Sequence, residues 1–202
     1  MNRSSTHNSQ NTSQNPPVKV NREVDHPLYD VEKIRSQAES SLQEGAVTEN
    51  YALDIQQACQ FLNEALATEI VCVLRYRHHQ IIAKGINYID IADEFREHAE
   101  NEERHMLMLA ERINQLGGNP DFNPATVLQR AVSDYGSGKD LVSLIREDLV
   151  AERVVIDVYR KMIEWFGLAD PTTRRILEKI LADEEEHANE LADLLAATPR
   201  SH

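Results

Sequence analysis

Glu102-Glu103-Arg104-His105 and Glu184-Glu185-Glu186-His187 each place a carboxylate and an imidazole three residues apart. On an α-helix that interval brings both side chains to one face, about one turn apart. One such pair is an ordinary feature of a solvated helix. Two pairs, each interrupting an apolar stripe, are much harder to explain as surface. Glu69 and Glu152 extend the pattern, because each stands on an apolar stripe where leucine is expected. Glu69 precedes Glu102 by 33 residues and Glu152 precedes Glu184 by 32, so the chain reads as two helical hairpins, each contributing Glu and then Glu-x-x-His.

Four carboxylates buried in one core without enough basic partners would cost several kcal/mol apiece, even after relaxation. Two divalent cations offer a charge of +4 against them, and two neutral imidazoles complete the donor set. One Glu from each of two helices and Glu-x-x-His from each of the other two is the arrangement of carboxylate-bridged di-iron and di-manganese bundles.

Positioning these residues requires four helices, and the hydrophobic periodicity supplies them. The first is expected from near Asp54 to about Lys84, with the stripe Ile55, Ala58, Leu62, Leu66, Glu69, Val73, Tyr76 and Gln80. The second spans about 89–116 through Ile91, Phe95, His98, Glu102, His105, Leu109, Ile113 and Leu116, and Gly117-Gly118-Asn119-Pro120 ends it. Residues 117–138 form a long connection with a short helix near Pro124–Val132, long enough to carry the chain along the bundle to its other end. The third helix runs from near Lys139 to Phe166 through Leu141, Ile145, Leu149, Glu152, Ile156, Tyr159 and Ile163. The fourth begins around Pro171, suited to a first helical position, and stops near Thr198-Pro199 after Ile176, Ile180, Glu184, His187, Leu191 and Leu194. Too little chain follows for a fifth helix.

At 202 residues and 41% hydrophobic content the chain can bury one good-sized core, and sparse glycine and proline favour an all-α architecture. Residues 1–27, rich in Asn, Ser, Thr and Gln, read as a disordered tail. Residues 28–50 read as an extension whose helix, 31–44, turns Val31, Ile34, Ala38 and Leu42 to one side, and 51–198 read as the bundle. The net charge of −13 disfavours nucleic acid and suits attraction of cations. Cys59 and Cys72 fall on one helix roughly 20 Å apart, too far to bridge, so they are expected as buried thiols in a reducing cytoplasm. No run approaches the ~20 apolar residues of a membrane span.

From about residue 54 to 197 the chain resembles the ferritin superfamily, and the six donors resemble the bacterioferritin ligand set. The resemblance implies that Glu69 and His105 hold one iron, Glu152 and His187 the other, and that Glu102 and Glu184 bridge them. Tyr76, seven residues after Glu69, matches the family's tyrosine beside the site. The implied cofactors are two Fe ions per subunit, with Mn or Zn as possible substitutes. The implied activity is oxidation of Fe(II) by O2 or H2O2, with storage of the mineral in a homo-oligomeric cage. Bacterioferritin ligates haem through a methionine directly after the second-helix bridging glutamate; Glu103 stands there, and Met106 lies one turn later, so haem is not expected. The absent fifth helix, the helix near 31–44 and the long middle connection resemble Dps-type mini-ferritins, which favours twelve subunits over twenty-four.

The same six ligands would serve a manganese catalase or a rubrerythrin-like peroxidase, although the rubredoxin cysteines of the latter are missing. A third alternative is a DNA-coating Dps-type cage. Glu100, Glu103, Glu185 and Glu186 are expected on solvated faces, with Glu64 and Glu147 as reserve carboxylates should the helical phase be off by a turn. His98, one turn before Glu102, is expected as a hydrogen-bonded core histidine or a guide for entering metal. His78 and His79 are expected at a surface or interface, and Trp165 with Phe166 to pack near the end of the third helix, with an electron relay as the alternative role.

Overall fold

The computed structural model describes residues 28–83, 89–136 and 138–198. The expected tail over 1–27, the helix end at Lys84 and the chain beyond Thr198 lie outside those residues. Two compact units divide after Ser40. The first contains α1, Val31–Ser40, which buries none of its residues. The helix expected over 31–44 therefore stops early, where Ser40 Oγ donates to the Gln37 carbonyl at 2.7 Å, a local bond that competes with helix continuation. A 3-10 turn, Leu42–Glu44, follows separately. Val31, Ile34 and Leu42 are exposed.

The second unit carries α2 (Ile55–Ile82), α3 (Ile89–Gln115), the short α4 (Val127–Arg130), α5 (Leu141–Phe166) and α6 (Pro171–Ala197). Starts are set by side chains that accept orphan backbone N–H groups. Asp54 accepts from Gln57 N, Asp140 from Ser143 N in a reciprocal capping box, and Asp170 from Thr173 N with Pro171 just inside. At the end of α3, Gly117 takes a φ of 79°, the left-handed conformation that favours glycine. Gly118 is pressed so closely on α2 that a Cβ there would meet Cys59 Sγ at 2.5 Å.

Four long helices form the bundle. α2 packs chiefly on α3 and α5 on α6, with α3 against α6 and α2 against α5 closing the square. The α3–α5 connection leaves beside Cys59, near the start of α2, and ends with Gly138–Leu141 lining a cavity with Ile82 and Ala83 at the other end of α2. It thus crosses the full length of the bundle, laying α4 along α2 on the way. α2 and α6 consequently run one way, α3 and α5 the other. The core is divided in two. Leu62, Leu66, Leu109, Ile113, Phe166, Leu177 and Ile180 fill one end, and Phe95, Ile91, Leu144, Ile145 and Leu191 the other. The interruptions of the four stripes fall between them.

Asp170 closes the first end. Besides capping α6 it accepts from Arg112 Nη2 at 3.1 and 3.0 Å and from the Tyr51 hydroxyl at 2.8 Å, tying α3, the α5–α6 turn and the chain before α2 together. Replacing Asp170 with Ala strands a buried guanidinium and removes the cap, and is expected to destabilise the fold by about 3–5 kcal/mol. Chemical denaturation reads this, with Asp170→Asn expected to lose less because an amide still accepts from Thr173.

Candidate metal centre

Between the two apolar clusters lie Glu69 from α2, Glu102 and His105 from α3, Glu152 from α5, and Glu184 and His187 from α6, each no more than 1% exposed. Their donor atoms form two overlapping groups, Glu69–Glu102–His105–Glu184 and Glu102–Glu152–Glu184–His187, within each of which all donors lie within 4.8 Å of one another. Glu102 and Glu184 belong to both groups. His105 Nδ1 stands 3.0 Å from Glu102 Oε2 and 3.0 Å from Glu184 Oε1. His187 Nδ1 stands 3.2 Å from Glu184 Oε2 and 3.4 Å from Glu102 Oε1. Both imidazoles therefore aim the same nitrogen inward.

The outer nitrogens are held by the opposite helix. His105 Nε2 meets the Asp183 carboxylate at 3.0 Å, and His187 Nε2 meets the Asn101 amide at 2.9 Å. Both partners immediately precede a shared glutamate, so at these positions the two hairpins mirror each other except for one charge. The tyrosines obey the same symmetry. Tyr76 donates to Glu152 Oε1, and Tyr159 donates to Glu69 Oε1. Tyr159 belongs to the apolar stripe of α5, and its polar role was legible in one respect: it follows Glu152 by seven residues, as Tyr76 follows Glu69.

One oxygen on each glutamate, namely Glu69 Oε2, Glu102 Oε1, Glu152 Oε2 and Glu184 Oε1, is buried without a well-aligned hydrogen bond, although an imidazole nitrogen stands near Glu102 Oε1 and Glu184 Oε1. Buried polar atoms are rarely left this way. Four such oxygens converging with two imidazole nitrogens fit two divalent transition-metal ions, for which carboxylate and imidazole are suited ligands.

In the metal-free site protons take up the charge. Burial pushes the Glu69 and Glu152 carboxyls well above the usual range, reinforced by the neighbouring Glu184 and Glu102. Burial opposes the charge on Glu102 too, but hydrogen bonds from His105 and His187 outweigh it and hold this carboxyl well below the usual range. Burial likewise disfavours an imidazolium, yet the bonds to Glu102 and Glu184 carry His105 up to about 12 and His187 up to about 11.

The other candidates sort differently. Glu100, Glu103, Glu185 and Glu186 are exposed. Glu64 accepts from Gln60 and Glu147 from the Gly138 backbone, away from the centre. Trp165 stacks edge-on with Phe61 and Phe166. Cys59 and Cys72 are buried free thiols. His98 is buried and hydrogen-bonded to Glu190. His78 is half-buried and stacks on Tyr135. His79 corrects the surface expectation: fully buried, it meets Asp148 at 2.8 Å, while Asp148 also accepts from the buried Arg75 at 2.7 Å. Periodicity along α2 cannot reveal this, because Ser133 and Asp134 of the long connection cover that flank and accept from Arg75.

Metal binding at this centre must displace protons, which fixes the sign of its pH dependence. His105 and His187 hold theirs to about 12 and 11, so at neutral pH at least two protons should leave per pair of ions bound. Apparent affinity should tighten as pH rises through 6–8 and weaken on acidification. Calorimetric titration of the metal-free protein with Co(II), in buffers of different ionisation enthalpy, counts the protons directly.

A ferritin-like domain model matches residues 59–201. A nutrient stress-induced DNA-binding protein from Synechococcus sp. is 30% identical over 145 residues, covering 69% of this chain and 81% of that protein. A bacterioferritin from Mycobacterium leprae is 28% identical over 138 residues, covering 68% and 82%. Among solved structures, a dodecameric thioferritin, the bacterioferritin-related protein from Bacteroides fragilis, is similar at 34% identity and a TM-score of 0.69, covering 71% of this chain and 87% of that one. The matched span takes in most of α2, the whole of α3, α5 and α6, and all six central donors, and the chain belongs to the ferritin-like family.

Proposed function

We propose that the protein is a ferroxidase that oxidises Fe(II) and stores the Fe(III) product as mineral in a homo-oligomeric cage of twelve subunits. The observation that carries this reading is the pair of overlapping donor groups sharing Glu102 and Glu184. In it, Glu69 and His105 hold one iron, Glu152 and His187 the other, and Glu102 and Glu184 lie between both. The likeness to a dodecameric bacterioferritin-related protein supports the cage and its size.

Two bound irons supply one electron each to a single oxidant. The balance is closed by two protons: O2 takes two electrons and two protons and leaves as H2O2, or H2O2 takes the same and leaves as two waters. The chain's own residues prepare this. Tyr76 and Tyr159 orient Glu152 and Glu69 by hydrogen bonds from the opposite hairpin. Asp183 and Asn101 fix the outer nitrogens of His105 and His187, leaving Nδ1 to face the ions. Apolar clusters pack the four helices together on both sides of the donors. Carboxylate oxygens stabilise the harder Fe(III), and the imidazoles retain Fe(II).

Replacing either shared glutamate, Glu102→Ala or Glu184→Ala, should abolish rapid Fe(II) oxidation in stopped-flow absorbance. Wild-type rates in either variant would refute the site.

A second reading comes from the Synechococcus relative, which is named as DNA-binding. The net charge of −13 opposes it, since phosphate contacts need local positive charge. No mobility shift of duplex DNA is expected at physiological salt. A shift that vanishes on deletion of residues 1–27 would instead assign DNA binding to that segment.

A further inference from the structure

One turn before Glu102 on α3, a third group of donors lies outside the six. Glu94 and His98 sit four residues apart on α3, and Glu190 comes from α6, three residues beyond His187. One donor atom from each lies within 4.8 Å of the other two. His98 Nε2 is 2.9 Å from Glu190 Oε2 and 3.4 Å from Glu94 Oε1. Ligands held at about 2.0–2.2 Å around one tetrahedral or octahedral ion are separated along adjacent edges by about 2.8–3.6 Å, and both distances fall in that range.

Charge points the same way. His98 Nε2 can present a single N–H to two carboxylates, and among the described residues neither Glu94 nor Glu190 pairs with a lysine or arginine. The site is built rather than superficial. His98 is 1% exposed, its other nitrogen has no hydrogen-bond partner, and its ring is fixed between Tyr76, edge-on at 5.1 Å, and His187, stacked at 4.1 Å. The glutamates are open: their side chains are 28% and 42% exposed, which leaves a way in for an ion and room for water ligands.

We propose that Glu94, His98 and Glu190 form a third divalent transition-metal site, half-open to solvent, that touches the central donor groups through the stack of His98 on His187. It has one nitrogen and at least two oxygen donors from the chain, a set suited to Fe(II), Mn(II), Co(II) or Zn(II). Its use as a station for iron passing to or from the centre rests on the ferroxidase reading; its capacity to bind a divalent ion does not.

The test uses the full chain, stripped of metal and titrated with Co(II). Bound ions per subunit are counted and then located by anomalous diffraction from Co(II)-loaded crystals. The wild type should bind three per subunit, with one at Glu94–His98–Glu190. Glu94→Gln/Glu190→Gln, isosteric at half-exposed positions, should bind two and melt within a few degrees of the wild type. Glu102→Ala/Glu184→Ala should keep the outer ion. No ion at Glu94–His98–Glu190 in the wild type, or undiminished occupancy there in the double glutamine variant, overturns the proposal. An outer ion in the wild type with none among the six central residues would sustain this site and sink the dinuclear reading instead.

Discussion

Mutual repulsion among four carboxylates, held within a few ångströms of one another in a water-poor interior, is the constraint to which the rest of this bundle answers. Charges so placed cannot all persist unless something positive stands among them. Protons on two imidazoles and two carboxyls meet that demand in the metal-free fold, and under the proposed function two divalent ions would meet it instead, taking up glutamate oxygens that lack a hydrogen bond. Since the donors come from all four helices, nothing that shifts one helix against its neighbours leaves the charge balance intact. The apolar clusters at either end supply the cohesion that the middle layer lacks.

That division explains what could be read from one dimension. A glutamate on an apolar stripe is visible because it violates a period, and a histidine three residues away is visible because helix geometry is local. Hence the six central residues, the four long helices and the long connection could all be anticipated. Tyr159 was hidden by its chemistry: on a stripe, tyrosine reads as an apolar residue, and only the repeat of the Glu69–Tyr76 interval betrays it. Arg75, His79 and Asp148 were hidden by distance along the chain. Their burial depends on the connection lying over α2, and periodicity within a helix says nothing about what covers its flank. At the end of α1, Ser40 bonds back to the Gln37 carbonyl, a local contact that propensity averages over.

The long connection has a structural effect beyond joining two hairpins. By returning the chain along the whole bundle it makes α3 and α5 parallel and places α3 beside α6, which lets both Glu-x-x-His segments face each other. A short turn after α3 would have laid the next helix antiparallel to it and put a different pair of faces in register. Arg75 anchors this connection from beneath, reaching Ser133 and the Asp134 carbonyl while paired with Asp148 one turn from Glu152. The crossover and the central layer are thereby fastened through one buried network.

Around the two inward imidazoles, the near-twofold likeness of the hairpins breaks at the group that holds the outer nitrogen. Behind one inward imidazole stands a carboxylate, Asp183; behind the other stands an amide, Asn101. An anionic partner makes an imidazole a more basic, more strongly donating ligand than a neutral one does. In the proposed centre, the half around His105 would therefore hold a cation more firmly than the half around His187. Under that reading ions would pass the centre in a preferred direction, and the weaker side is the one whose imidazole is stacked on His98.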